Sequence, residues 1–168
     1  MTSQAAQVQD TAQLVPVPWP WDPHEYVAQV AEYRQRLITV CPIDSNALSG
    51  TGCGTGSGLW IAREHDDIIM IGAATEWHAD HILAHEIGHM LLGHGSSTPV
   101  GPADDLPLRA LMPDLDPASI RHVLRRQDYG TARERDAETF AGLVMVEATL
   151  PRRSPSRFRS TFFLGRHR

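Results

Sequence analysis

The sequence predicts an α+β domain, a short three-stranded sheet packed on helices. Three observations predict it. A capped amphipathic helix opens at "DPHEYVAQVAEYRQRL". Three short apolar runs follow, "LITVCPI", "GLWIARE" and "DDIIMIGAA", rich in β-branched residues and separated by turn signals. Two long helical patterns close the chain, one around "HILAHEIGHMLLGH" and one at "TARERDAETFAGLVM". The 168 residues are enough for one domain with its own core.

Residues 1–21 are polar and then Pro-rich ("VPVPWPW"), and read as a flexible arm whose end is anchored by Trp19 and Trp21. The first helix takes Asp22 as its cap, Pro23 in its first turn and Glu25 three residues after the cap. Its apolar face carries Tyr26, Val27, Val30, Tyr33 and Leu37. Residues 37–43 read as a short buried strand, and 49–58 as a Gly-rich loop. Two strands, 58–64 and 66–74, meet at a charged turn around His65 and Asp66. The strand after the Gly-rich loop reads as an open edge to which a peptide could add, and Cys53 in that loop offers a thiolate that could reach a metal. The next helix runs from Thr75, its cap, to Gly93, with Ile82, Leu83, Ile87, Met90 and Leu91 on its apolar side. After a long loop, "LDPASIRHVLRR" predicts a short helix capped by Asp116 with Pro117 at its first position. The last helix buries Ala137, Phe140, Ala141, Val144 and Ala148. The core domain is thus 22–150, followed by a basic tail, 151–168.

Composition narrows the chemistry. All 15 basic residues are Arg, so a Walker phosphate loop and a Schiff base are excluded. The glycines of "TGCGTGSG" alternate and do not spell GxGxxG. All 20 acids precede residue 151, leaving the body at −11, while the tail carries six Arg and no acid. An acidic body suits a basic protein partner; the tail contains no recognisable groove-reading motif, so direct nucleic-acid binding is not expected. Two Cys make no disulfide framework. No basic start precedes an apolar segment and no run of 18 apolar residues occurs, which reads as a cytoplasmic protein without a membrane span.

The chemistry is carried by His85-Glu86-Ile87-Gly88-His89, which spells HExxH. Residues four apart share a helix face, so His85 and His89 can point ring nitrogens at one zinc ion. Glu86 lies beside such an ion, where it can take a proton from an attacking water. Gly88 costs about 1 kcal/mol in a helix against Ala, which makes sense if another backbone or a substrate must approach closely. A catalytic zinc needs a third protein ligand. The metzincin pattern HExxHxxGxxH places its third His at position 95, one residue beyond His94 and occupied here by Gly95, so His94 does not fit it. The final helix offers Glu134, Asp136 and Glu138; Thr131 and Glu134 also form a T-x-x-E capping box. Nearby, His81 shares the face of His85 at the rim, Asp80 could accept a hydrogen bond from a liganding His, and Glu138 fits that supporting role better.

Together, "HILAHEIGHMLLGH" and "ERDAETFAGLVM" resemble the ImmA/IrrE family of bacterial regulatory metallopeptidases, over residues 37–148. The family pattern is HE[IL]GH followed by a helix close to E-x-E-A-N-x-F-A-x-x-L-L-M-P. Its first Glu, the expected zinc ligand, falls on Glu134; the second falls on Asp136, the Asn on Glu138 and "FA" on Phe140 and Ala141. If Glu134 only caps the helix, Asp136 or Glu138 becomes the ligand. The inserted segment "LMPDLDPASIRHVLRRQDY" resembles an actinobacterial regulator or toxin–antitoxin branch. The resemblance implies a zincin-like domain, a gluzincin-like zinc endopeptidase with Glu86 as its base, and a protein substrate such as a helix-turn-helix DNA-binding repressor. Its counterpart is a zinc-binding partner module that cuts nothing.

Overall fold

Capping side chains set where the helices begin. The computed structural model describes residues 3–44, 58–95, 113, 120–123 and 131–150. Among these, α1 (Gln4–Ala12) starts at Ser3, whose hydroxyl accepts from the Ala6 N–H. α2 (Pro23–Arg34) starts at Asp22, whose carboxylate accepts from His24 N and Glu25 N at 2.8 and 3.2 Å. α3 (Glu76–Leu91) starts at Thr75, which accepts from His78 N at 3.2 Å. α4 spans Thr131–Thr149. Each cap satisfies amide groups that the first turn leaves without a partner.

The strands are β1 (Leu37–Pro42), β2 (Gly58–Arg63), β3 (Asp66–Ile71) and β4 (Ile120–Val123). They form a mixed sheet in the order β1-β3-β2-β4, with β1 parallel to β3 and both β3 and β4 antiparallel to β2. The protein is therefore α+β. Alternate residues of the central strands serve two clusters. Trp60, Ala62, Ile69 and Ile71 face the helices, joining Tyr26, Ile87, Phe140 and Val144 in the main core. Leu59, Ile61, Ile68 and Met70 form a second cluster with Ile120. Burial on both faces explains why these strands read as continuous apolar runs.

One polar cluster ties the layers together. Asp67 is fully buried on β3. It accepts from Arg34 Nη2 (3.2 Å), Arg36 Nε (3.0 Å) and Trp60 Nε1 (3.0 Å). Arg34 also donates to the Met90 carbonyl at 3.0 Å, near the end of α3. A buried carboxylate persists only with such partners, and this one fixes how α2 and α3 sit on the sheet.

Several expectations are corrected. The flexible arm contains a helix: Val8 of α1, with Val15 and Val17 after it, is buried in the main core. The helix has nine residues and Val8 is its one large apolar side chain, too little apolar content to read as core-facing. Residues 37–43 do not make a buried strand; β1 is a sheet edge, and Leu37 is 74% exposed. The short helix expected at "LDPASIRHVLRR" is not formed over Ile120–Val123, which is β4 instead. Pairing with β2, with a register shift at Ala62 and Arg63, outweighs a local helical pattern. β4 also covers Ile61–Arg63, so β2 is an inner strand rather than the open edge expected. The apolar face expected on α2 holds for Tyr26 and Val30, while Tyr33 is exposed. Cys53 and the tail 151–168 lie outside the described residues. No described helix is long and apolar enough to cross a membrane.

If α1 is structural, Val8→Ala lowers unfolding free energy by about 2 kcal/mol, while the exposed neighbour change Gln9→Ala leaves it within about 0.5 kcal/mol. Urea unfolding measures both; equal, negligible effects would return residues 1–21 to the status of a loose arm.

Candidate metal centre

α3 carries the HExxH residues into the core. Its middle is buried from Ile82 to Met90, including His85, Glu86 and His89. α4 packs across it at Gly88. A Cβ on Gly88 would lie 3.0 Å from Phe140 Cδ1 and 3.2 Å from its Cβ, so the glycine permits the close crossing. The close neighbour is the Phe140 side chain, and not the backbone or substrate that the sequence suggested.

That crossing brings Glu134 to the histidines. Its carboxylate oxygens lie 3.6 Å from His85 Nε2 and 3.3 Å from His89 Nε2, and the two ring nitrogens are 3.1 Å apart. One donor atom from each residue falls within 4.8 Å of the others. Zinc bonds imidazole nitrogen at about 2.0–2.1 Å, and tetrahedral geometry then separates its donors by about 3.3 Å. The observed spacings bracket that value, and two imidazoles with one carboxylate are a donor set zinc accepts with a position left open. The residues present fit the ion. Of the three candidate carboxylates, Glu134 alone joins the two histidines. Asp136 accepts instead from Gln4 Nε2 at 2.6 Å, tying α1 to α4.

Both histidines are also held from behind. Glu138 lies 3.2 Å from His85 Nδ1 and 3.3 Å from His81 Nε2, the supporting place the sequence gave it. His94 Nδ1 lies 3.0 Å from His89 Nδ1. Asp80 does not support a liganding histidine; it accepts from Trp21 Nε1 at 2.8 Å. Trp21 therefore is the anchor expected of it, whereas Trp19 is 46% exposed. Of the other histidines, His78 is exposed and His81 half-buried.

Glu86 is the second feature of the site. It is 1% exposed, and neither oxygen has a hydrogen-bond partner among the described residues. Gly58, the last glycine of the Gly-rich loop, makes room for it: a Cβ there would meet Glu86 Oε1 at 2.4 Å and Ile82 Cγ2 at 2.6 Å. Sequence reasoning missed that role; the signal was a glycine placed at the first residue of an apolar strand. Burial pushes the Glu86 carboxyl up to about 7, with Glu134 adding to the rise. The His85 charge and the Trp60 backbone N–H oppose it, although that N–H falls short of a well-formed hydrogen bond. Burial also works against a charged His85, but Glu134, Glu86 and Glu138 outweigh it and raise its pKa. Burial dominates at His89, which is lowered despite Glu134. It dominates at His94 too, lowered to about 4 with help from His89 and Arg133.

An apolar groove of about 400 Å³ runs between α2, β1 and α3, lined by residues such as Val27, Val40 and Leu83, and none of the three site residues lines it. The chain matches no protein-family model, no curated protein and no solved structure.

The raised Glu86 pKa has a signed consequence in metal-free protein. Below pH 4.5 the carboxyl is protonated folded or unfolded; above about 7 it ionises in both states, and burial penalises the folded one. Stability present at low pH is therefore lost as pH rises through that window. Relative to Glu86→Gln, wild type is expected to lose on the order of 3 kcal/mol between pH 5 and 8 in urea unfolding. An unchanged difference at the two pH values would show that Glu86 is not held in a costly buried state.

Proposed function

We propose that this chain is a zinc-dependent metallo-endopeptidase with a zincin-like, gluzincin-type centre. The observation that carries the reading is the meeting of His85, His89 and Glu134 beside a buried carboxylate, Glu86, that has no hydrogen-bond partner among the described residues. A zinc ion there would supply Lewis acidity, polarising a peptide carbonyl and making a water acidic near neutral pH. The chain's own residues supply the rest. His85, His89 and Glu134 hold the ion. Glu86, buried beside them, takes a proton from the attacking water and returns it to the leaving amine. The absence of a side chain at Gly58 leaves the space that the Glu86 carboxylate occupies.

The substrate class comes from the resemblance to the ImmA/IrrE family: a protein partner such as a helix-turn-helix repressor, whose cleavage would release transcription of a mobile element or toxin–antitoxin locus in the cytoplasm. The acidic body, net −11, suits a basic DNA-binding partner.

The test compares zinc-loaded wild type with Glu86→Gln on casein and on helix-turn-helix repressors. Wild type is expected to cleave, with loss of cleavage on chelation. Glu86→Gln is expected to keep its zinc and to cleave roughly 10²–10⁴-fold more slowly. Equal cleavage by the two would remove Glu86 from the reaction. Zinc in both with cleavage by neither would favour the partner-binding module that cuts nothing.

A further inference from the structure

We infer that His94 is a positioning residue of the metal centre, acting through His89; the inference rests on the zinc reading above. The end of α3 delivers it. The helix caps at Leu92, and Gly93 follows with φ of +69°, a left-handed turn that glycine adopts without strain. A Cβ at Gly93 would meet nothing within 4 Å among the described residues, and its positive φ is what calls for glycine there. The turn sends the chain back over the helix, and the His94 N–H donates to the His89 carbonyl at 3.0 Å. The His94 ring is thereby folded inward, 8% exposed, with Nδ1 3.0 Å from His89 Nδ1. The rings meet edge to face, centroids 5.1 Å apart at 63°.

Two imidazole nitrogens at that distance share one hydrogen. If His89 donates it, its proton is on Nδ1 and Nε2 carries a free lone pair. Nε2 is the atom that faces His85 Nε2 and Glu134. If His94 donated, the His89 proton would sit on Nε2 and occupy the metal position. Holding the ion therefore requires His94 to accept, with its own proton on Nε2. A neutral ring in this place selects the His89 tautomer and fixes its rotation. His85 has a different support, the Glu138 carboxylate at 3.2 Å from Nδ1. A carboxylate can only accept, so it secures the metal-binding tautomer of His85 in the same way. The two ligands are thus aligned by two independent partners, one on the turn that ends α3 and one on α4.

The experiment measures zinc affinity by competition with a chromophoric chelator for wild type, His94→Ala and His94→Asn. Long-range ¹H–¹⁵N spectra of the imidazoles accompany it, with thermal unfolding of the metal-free proteins as a control. His94→Ala is expected to weaken zinc binding roughly 10–100-fold and to abolish the protected Nδ1–H of His89. His94→Asn, whose side-chain carbonyl can accept the same hydrogen, is expected to recover a large part of both. Equal affinity of wild type and His94→Ala would overturn the inference alone and leave the zinc reading standing. So would an affinity loss in His94→Ala that His94→Asn does not recover while both fold as wild type does. A wild type that binds no zinc would overturn both.

Discussion

The crossing of α3 and α4 at Gly88 and Phe140 is the constraint on which the site depends. Phe140 is fully buried, and its side chain lies 3.0–3.2 Å from where any other residue at position 88 would put a Cβ. That contact sets how near α4 lies to the HExxH face. Glu134 sits almost two turns before Phe140 on the same helix, and at this separation its carboxylate reaches both histidines. A side chain at 88 would push α4 outward by a fraction of an ångström or more, and metal-donor distances tolerate little of that. The helical cost of glycine is thus offset by the site it permits.

The same close packing concentrates charge. Glu86, Glu134 and Glu138 surround His85 and His89 in a region where most side chains are hidden from water. Desolvation raises Glu86 and lowers His89 and His94, while the surrounding carboxylates keep His85 raised. Such a cluster is costly for a protein of this size unless a cation or a proton compensates it. By contrast, the Asp67 cluster is complete within the chain, with two Arg and the Trp60 indole around one carboxylate. One buried polar group is finished as structure; the other has the form of a receptor for an ion.

What was legible in the sequence was local. Asp22 and Thr75 announced their helices, Gly93 announced the end of α3, and His85 and His89 announced a shared face, because these signals act within one or two turns. The choice among Glu134, Asp136 and Glu138 was half legible. At 100° per residue, Glu134 and Glu138 share a face and Asp136 points away, which agrees with its bond to Gln4. What remained hidden depended on distant partners. α1 carries one large apolar side chain, Val8, and its burial comes from packing on α4. β4 is a strand because β2 has an edge to offer, although "LDPASIRHVLRR" carries its own helix signals. His94 misses the metzincin spacing by one residue, and sequence spacing does not reveal that a left-handed turn folds its ring onto the far nitrogen of His89.

The most direct test of the central claim is the zinc content of purified protein handled without chelator, with Glu134→Ala and Asp136→Ala prepared in parallel. The account predicts about one zinc per chain in wild type, nearly the same in Asp136→Ala, and a sharp fall in Glu134→Ala. Wild-type protein without zinc, or Glu134→Ala with its full complement, would contradict the assignment of His85, His89 and Glu134 as the metal centre.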